Sequence, residues 1–285
     1  MVLNLDNNFN PYPSRNTIEY DYFIFSGGEP HIKITSNLKD CLVLDVTAVT
    51  ITHRIQSFND MGMLLLASNA LKNMGIHTIH ILLPYFPAAR QDRLMISGEP
   101  LSVKVYADII NSQNFSSVTI FDPHSEVAPA LLNNCKVVDN LKFIQEVTSQ
   151  IANDVLLIAP DGGALKKIYK VASYLQKYKV VECSKSRNVE TGQLSGFKVY
   201  KNDLKGQDCL IVDDICDGGG TFLGLAKELK AKNAGNLYLA VSHGIFSKGF
   251  KDLQKHFTKL FTTDSFKTLD GNNSTQIKLE QLLKE

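Results

Sequence analysis

Long apolar runs are missing from this chain: no stretch of 18 or more apolar residues occurs, which excludes an apolar membrane-spanning helix. The opening MVLNLDNNFNPYPSRN lacks a basic start followed by an apolar core, so it is not expected to act as a secretory signal. Cysteine is scarce. The five thiols (Cys41, Cys135, Cys183, Cys209 and Cys216) are scattered, odd in number and without a CxxC pair. That excludes a disulfide framework and fits reduced structural thiols in a cytoplasm. A charge excess of one sign is also lacking: 30 Lys and Arg against 29 Asp and Glu leave a formal net charge of +1, so no nucleic-acid or membrane-surface partner is expected. GxxxxGK[ST], GxGxxG after a strand, HExxH and GxSxG are all absent. If ATP is used, a Walker loop does not hold it.

What is present is an ordinary globular balance, with 44% hydrophobic and 21% charged residues over 285 positions. That length suits two domains of roughly 140 residues. Leu42–Val46, Thr78–Leu83, Val118–Phe121, Val155–Ile158, Cys209–Val212 and Leu237–Val241 are nearly continuous apolar runs, the mark of parallel strands covered on both faces. Helical patterns separate them. Asn59 and Asp60 supply a cap and a first-turn acid before Met61, Leu64, Leu65 and Leu71, and Gly75 closes that helix. Phe222, Leu225, Ala226 and Leu229 follow i, i+3, i+4, i+7 spacing. The alternation predicts open doubly wound sheets in two α/β domains, 1–138 and 139–285.

Ligands of such sheets bind beyond the carboxyl ends of the strands, so the residues that follow each strand matter most. After Val212 come Asp213-Asp214-Ile215-Cys216-Asp217-Gly218-Gly219-Gly220-Thr221 and then a helix. Glycines let the backbone wrap a ligand, and loop amides with a helix start attract phosphate. Adjacent acids accept hydrogen bonds from sugar hydroxyls. After Ile158 come Asp161, Gly162 and Gly163, which suit either a capped turn or a diphosphate loop with a metal on Asp161. Asp122-Pro123-His124 follows Phe121, and a histidine there suits a metal or phosphate contact as well as a structural hydrogen bond. Arg90, Gln91, Asp92 and Arg93 follow aromatic residues after Leu83. Arginine forks suit nucleotide phosphates and Gln an adenine edge; the alternative is a solvated loop with a salt bridge.

In order, these loops resemble the ribose-phosphate pyrophosphokinase family from about Phe25 to Phe246. FNDMGMLLLASNALKNMGIHTIHILLPYFPAARQDR is similar to that family's N-terminal domain, and PDGG, VDDICDGGGT and SHGIFSKG to its C-terminal loops. The resemblance implies domains of phosphoribosyltransferase type: an N-terminal domain for ATP binding and assembly, and a C-terminal domain for ribose phosphate. It implies transfer of the β,γ-diphosphate of ATP to the 1-hydroxyl of ribose 5-phosphate, with Mg²⁺. Phe25 and Glu29 match residues that contact adenine from a neighbouring subunit, and Arg90, Gln91 and Asp92 lie in the ATP-binding segment. His124 and Asp161 match Mg²⁺ contacts, and Asp161-Gly162-Gly163 the diphosphate loop. Asp213 and Asp214 match the acids that hold the ribose hydroxyls, and Asp217, Gly218, Gly219, Gly220 and Thr221 the 5-phosphate loop. Lys185 and Arg187 match the basic pair on a mobile catalytic flap. A homodimer or homohexamer is implied as well.

Three departures stand out. Gly27 occupies a position usually Asp or Asn, Leu94 to Gly98 replace a basic, polar segment tied to phosphate and ADP control, and Gly218 replaces a threonine. The last is expected to open space for a bulkier 5-substituent, as in ADP-ribose and so in NAD metabolism. The shared VDDICDGGGT also leaves open a phosphoribosyltransferase or a non-catalytic regulatory homologue.

Overall fold

The computed structural model describes residues 1–36, 48–151, 154–176, 179–187, 194–269 and 274–284, with backbone alone at 186, 187, 194 and 195. They form two compact units. The first comprises Met1–Asp139 together with Ser265–Thr268 and Leu279–Glu285; the second comprises Asn140–Asp264 and Leu269–Lys278. Residues 139–285, expected as one piece, therefore lend two short stretches to the first unit. Buried Arg54 shows what holds one of them. Its Nε donates to Asp6 Oδ2 (2.6 Å), and its Nη1 donates to Thr268 Oγ1 (3.1 Å). Thr268 Oγ1 in turn donates to the Asn8 carbonyl (2.7 Å). A guanidinium out of water needs such partners, and the chain returns to supply them.

In the first unit, strands β1 (Val2–Asn4), β4 (Ala48–Thr52), β5 (Thr78–Leu83), β6 (Ser117–Phe121) and β7 (Cys135–Val138) form one all-parallel sheet in that order. Strands β2 (Tyr20–Ile24) and β3 (Pro30–Ile34) form a separate antiparallel hairpin. The run Leu42–Val46, expected as a strand, lies outside the described residues. Helix α1 (Phe58–Asn73) buries Met61, Leu64, Ala67 and Leu71, while Leu65 is only half-buried. Its cap is Ser57, not Asn59. Asp60 N donates to Ser57 Oγ (3.2 Å) and Ser57 N to Asp60 Oδ2 (2.8 Å), a reciprocal box that satisfies two terminal donors. Helices α2 (Ser102–Asn111) and α3 (Val127–Leu131) complete the unit's main elements.

The second unit starts at α4 (Leu141–Ser149). Its sheet contains β8 (Leu156–Ala159), β9 (Val180–Arg187), β10 (Leu194–Val199), β11 (Cys209–Cys216), β12 (Leu237–Gly244), β13 (Lys259–Thr263) and β14 (Thr275–Ile277), with α5 (Leu165–Leu175) between β8 and β9 and α6 (Gly220–Ala231) between β11 and β12. The order is β10-β9-β8-β11-β12-β13-β14, parallel except for the β9–β10 edge pair. That antiparallel pair was not anticipated. On α6, Phe222, Leu225, Ala226 and Leu229 are buried, as their spacing requires.

Strand β11 runs four residues further than the apolar run suggested. It pairs with β8 only through Ile211 but with β12 as far as Cys216 opposite Gly244. Asp213 and Asp214 therefore lie within the strand, past the end of β8. They do not terminate it because Ile215 and Cys216 beyond them are buried and one flank stays paired.

The ring of Phe197 on β10 sits where a Cβ on Gly224 of α6 would project, too close for both to stay. Gly224→Ala is expected to push that ring aside at a cost of about 1–3 kcal/mol, read as a lower urea midpoint.

Candidate functional site

Strand order in the second sheet reverses between β8 and β11, and a doubly wound sheet opens a crevice at such a point. The loop after β8 carries Asp161, and the loop after β11 carries Asp217 to Thr221. The topology alone brings these two glycine-rich turns side by side.

Asp161 is in extended conformation and caps the turn Gly162–Ala164: its Oδ1 accepts from Gly163 N (2.9 Å) and Ala164 N (3.2 Å). Nothing lies within 4 Å of the position a Gly162 Cβ would take, and at Gly163 the contact is Asp161 itself. The backbone is thus bare for close approach of an anion. In the second turn, Gly219 has φ +78°, a conformation that favours glycine, and Gly220 starts α6.

Lys185 on β9 joins the two turns. Its Nζ lies 2.8 Å from Asp161 Oδ2 and donates to Thr221 Oγ1 at 3.1 Å. Lys185, which the resemblance matches to a catalytic flap, is thus held between the two loops. The Arg187 side chain lies outside what is described.

Asp213 and Asp214 complete this end of the sheet. Asp214 N donates to Asp213 Oδ1 (2.9 Å), and Lys167 Nζ stands 4.0 Å from Asp214 Oδ2. Burial pushes the Asp213 carboxyl well above its ordinary range, and the Asp214 carboxylate, with Asp161 as a weaker contributor, pushes the same way. Ser247 Oγ donates to Asp217 Oδ1 (2.6 Å), which ties the segment after β12 to the second turn. Lys167 and Ser247 were not picked out from sequence. Ser247 stood within SHGIFSKG, so the signal was there, but no chemistry distinguished it from an ordinary loop serine.

The Gly218 expectation changes. The methylenes of Lys248 lie 3.4–3.7 Å from where a Gly218 Cβ would be, so the space left by the missing side chain is covered.

In the first unit, Asp92 is buried and its Oδ1 accepts from Arg93 Nε (3.0 Å). Burial raises this carboxyl, but the hydrogen bonds from Arg93 and Ser125 and the charges of Arg93 and His124 outweigh it and hold the group below its usual range. Among the described residues, the second oxygen of Asp92, Oδ2, is buried without a hydrogen-bond partner, a deficit that a ligand donor would remove. Arg90 and Gln91 are exposed beside it in sequence. On the hairpin, Phe25 N donates to the Glu29 carbonyl (2.9 Å) across a turn with Gly28 at φ +94°. The Phe25 ring, 52% exposed, packs on Phe23 (4.9 Å) and His31 (5.6 Å). The Glu29 carboxylate occupies the side of Gly27 that a larger residue would fill.

Burial pushes the thiols of Cys183 and Cys209 up to about 12, which makes them inert packing groups. Cys41 lies outside the described residues.

Fold and site define a two-unit α/β protein whose second sheet, of phosphoribosyltransferase type, carries paired glycine-rich loops. The family model for the phosphoribosyl transferase domain matches residues 131–270, and that for the N-terminal domain of ribose phosphate pyrophosphokinase matches residues 13–113. A ribose-phosphate pyrophosphokinase of Thermococcus kodakarensis is 30% identical over 234 residues, covering 81% of this chain and 80% of the relative. One from Saccharolobus solfataricus is 26% identical over 265 residues, covering 91% and 86%. The chain belongs to the ribose-phosphate pyrophosphokinase family. The crystal structure of a phosphoribosylpyrophosphate synthetase from Mycobacterium smegmatis superposes with a TM-score of 0.81 over 99% of this chain and 95% of the other, at 20% identity, a likeness of fold.

Proposed function

We propose that this chain is an ATP-dependent diphosphotransferase that moves the β,γ-diphosphate of ATP to the anomeric 1-hydroxyl of ribose 5-phosphate and releases AMP. The observation that carries the site assignment is the Lys185 ammonium bonded to both Asp161 and Thr221. One cation spans the two loops between which the sugar's C1 and the incoming diphosphate would meet. The N-terminal family match over 13–113 favours this reading over a phosphoribosyltransferase, and the presence of Lys185, Arg187, His124 and the paired acids favours it over a regulatory homologue.

In this reading Asp217 to Thr221 cradle the 5-phosphate with loop amides, and Asp213 and Asp214 accept hydrogen bonds from the ribose hydroxyls. Gly162 and Gly163 receive the diphosphate as it arrives. Arg90, Gln91 and Asp92 bind ATP, the unpaired oxygen of Asp92 taking a donor from it. Lys185, with Arg187, neutralises charge that develops on the transferred group and on AMP. The loose transition state of such transfer leaves positioning and charge stabilisation as the protein's main tasks.

Mg²⁺ is the proposed cofactor, and the donor set fits it. Asp213 and Asp214 adjoin at the end of β11, and burial first, then the Asp214 carboxylate and more weakly Asp161, push the Asp213 carboxyl up. Among the described residues no preformed group of three or more metal ligands occurs. Mg²⁺ needs none: it is usually held by one or two carboxylates together with substrate phosphates. Asp161 is the proposed protein donor in the second unit, and His124 keeps the role that the family resemblance implies for it. When bound, Mg²⁺ neutralises phosphate charge.

The exposed aromatic cluster around Phe25 supports assembly with a further copy, as a homodimer or homohexamer. Among the described residues no helix is long and apolar enough to cross a membrane. The cytoplasm, where ATP is available and thiols stay reduced, is the proposed compartment.

Incubating the purified chain with ATP, Mg²⁺ and ribose 5-phosphate is expected to release AMP and a ribose 1-diphosphate in equal amounts. ADP-ribose is expected to serve poorly. Release of ADP, or no AMP with either acceptor, would refute the reading.

A further inference from the structure

In the 217–221 loop, Gly218 has no side chain to offer a ligand, yet its open side is not empty. The stem of Lys248 crosses it, with Cε, Cδ and Cγ 3.4, 3.5 and 3.7 Å from the position of a Gly218 Cβ. Those are ordinary van der Waals separations, so a methyl at 218 would just fit beneath the stem, which closes the space beyond it.

The turn that carries Lys248 is fixed at several points. Ile245 N and Phe246 N both donate to the Cys216 carbonyl (2.9 and 3.0 Å) at the end of β11. Phe246 adopts φ +46°, and its ring rests against Gly244, where a Cβ would collide with it. Ser247 Oγ donates to Asp217 Oδ1 (2.6 Å), and Gly249 N donates to the Phe246 carbonyl (2.9 Å). The residue before Lys248 is therefore anchored to the residue before Gly218. Among the described residues the Lys248 ammonium has no ion-pair or hydrogen-bond partner, while its stem is laid across the anion loop.

We infer that Lys248 is a specificity residue: its stem replaces the side chain that Gly218 lacks, and its ammonium binds the phosphoryl group on C5 of the acceptor sugar. The inference rests on the proposed reading of 217–221 as the 5-phosphate loop. It gives that loop a cation from outside the segment, on an arm long enough to follow the phosphate. It also couples Gly218 and Lys248, because a side chain at 218 that extends beyond Cβ would crowd the stem.

The test is titration calorimetry of ribose 5-phosphate, with ATP withheld, on the full chain and four variants. Lys248→Met keeps the methylenes and removes the charge; it is expected to weaken binding about tenfold, while ATP affinity measured separately changes less than twofold. Lys248→Arg, which keeps a cation, is expected to stay within threefold of the parent. Gly218→Thr supplies a hydroxyl and displaces the stem, so adding Lys248→Met to it is expected to cost less than threefold. Equal affinity of parent and Lys248→Met overturns the inference, and so does the same tenfold loss in the Gly218→Thr background. AMP release separates this from the parent reading. A parent protein that turns over while Lys248→Met binds normally sinks the inference alone. One that binds ribose 5-phosphate through Lys248 yet never releases AMP sinks the diphosphotransferase reading alone.

Discussion

Lys185→Ala is expected to slow AMP release by about 10²-fold or more, equivalent to roughly 3 kcal/mol of lost transition-state stabilisation. The Lys185 ammonium already lies between Asp161 Oδ2 (2.8 Å) and Thr221 Oγ1 (3.1 Å), so little reorganisation is needed to bring positive charge to the reacting group. A preorganised cation contributes most where charge develops, and the loss should appear in kcat more than in the KM for ribose 5-phosphate. Lys185→Met separates charge from bulk and is expected to lose nearly as much as Ala. Lys185→Arg keeps the charge but presents a planar fork where a compact ammonium fits, so partial activity is expected. The Asp161 contact gives an independent check. Asp161→Asn removes the partner that holds Lys185, so the two substitutions should be less than additive when combined. Steady-state AMP release on the single and double variants measures this, and near-normal turnover by Lys185→Ala would remove the assigned role.

Periodicity made some of this architecture legible and not the rest. Thr78–Leu83 is legible to the residue because a parallel strand covered on both faces is largely apolar, and in β5 Ile79, Ile81, Leu82 and Leu83 are all buried. Cys209–Val212 stopped short because Asp213 and Asp214 look like a strand end. What carries β11 onward is pairing with β12, a long-range fact that no local pattern records. The β9–β10 pair escaped notice for a similar reason: Phe197 is fixed by the bare face of Gly224, a contact between separate elements. At the site, the glycine-rich turns and paired acids could be read directly because their residue types are unusual together. Lys185 and Lys248 could not. An isolated lysine has the same letter whether its ammonium meets solvent, Asp161 or an anion loop, and only the resemblance singled out the first of them.

Asp213→Asn is expected to make the protein more stable and a far poorer enzyme. Burial first, then the Asp214 carboxylate and its hydrogen bond, then Asp161, push the Asp213 carboxyl well above its ordinary range. A carboxyl whose folded-state pKa is raised binds a proton that the unfolded chain would release. Stability therefore falls as pH rises from the ordinary carboxylate pKa toward the raised one, and above that the penalty is complete. Asparagine has nearly the same shape and no charge to suppress. At pH 8 the variant is expected to melt about 2–4 °C higher, the shift that roughly 1 kcal/mol produces in a chain of this size, and the gain should shrink toward pH 4, where the parent is protonated as well. Activity should move the other way. An ionised Asp213 accepts hydrogen bonds from the sugar hydroxyls, and losing a charged acceptor costs about 1.5–3 kcal/mol, so kcat/KM for ribose 5-phosphate is expected to drop between roughly tenfold and a hundredfold. Stability given up at a ligand-binding carboxylate is the trade that functional sites make. Thermal melts across pH 4–8 and initial rates on the same preparation test both halves. A variant that melts below its parent at pH 8 would show that Asp213 carries its charge without strain, and the crowding of acids at the end of β11 would then need another explanation.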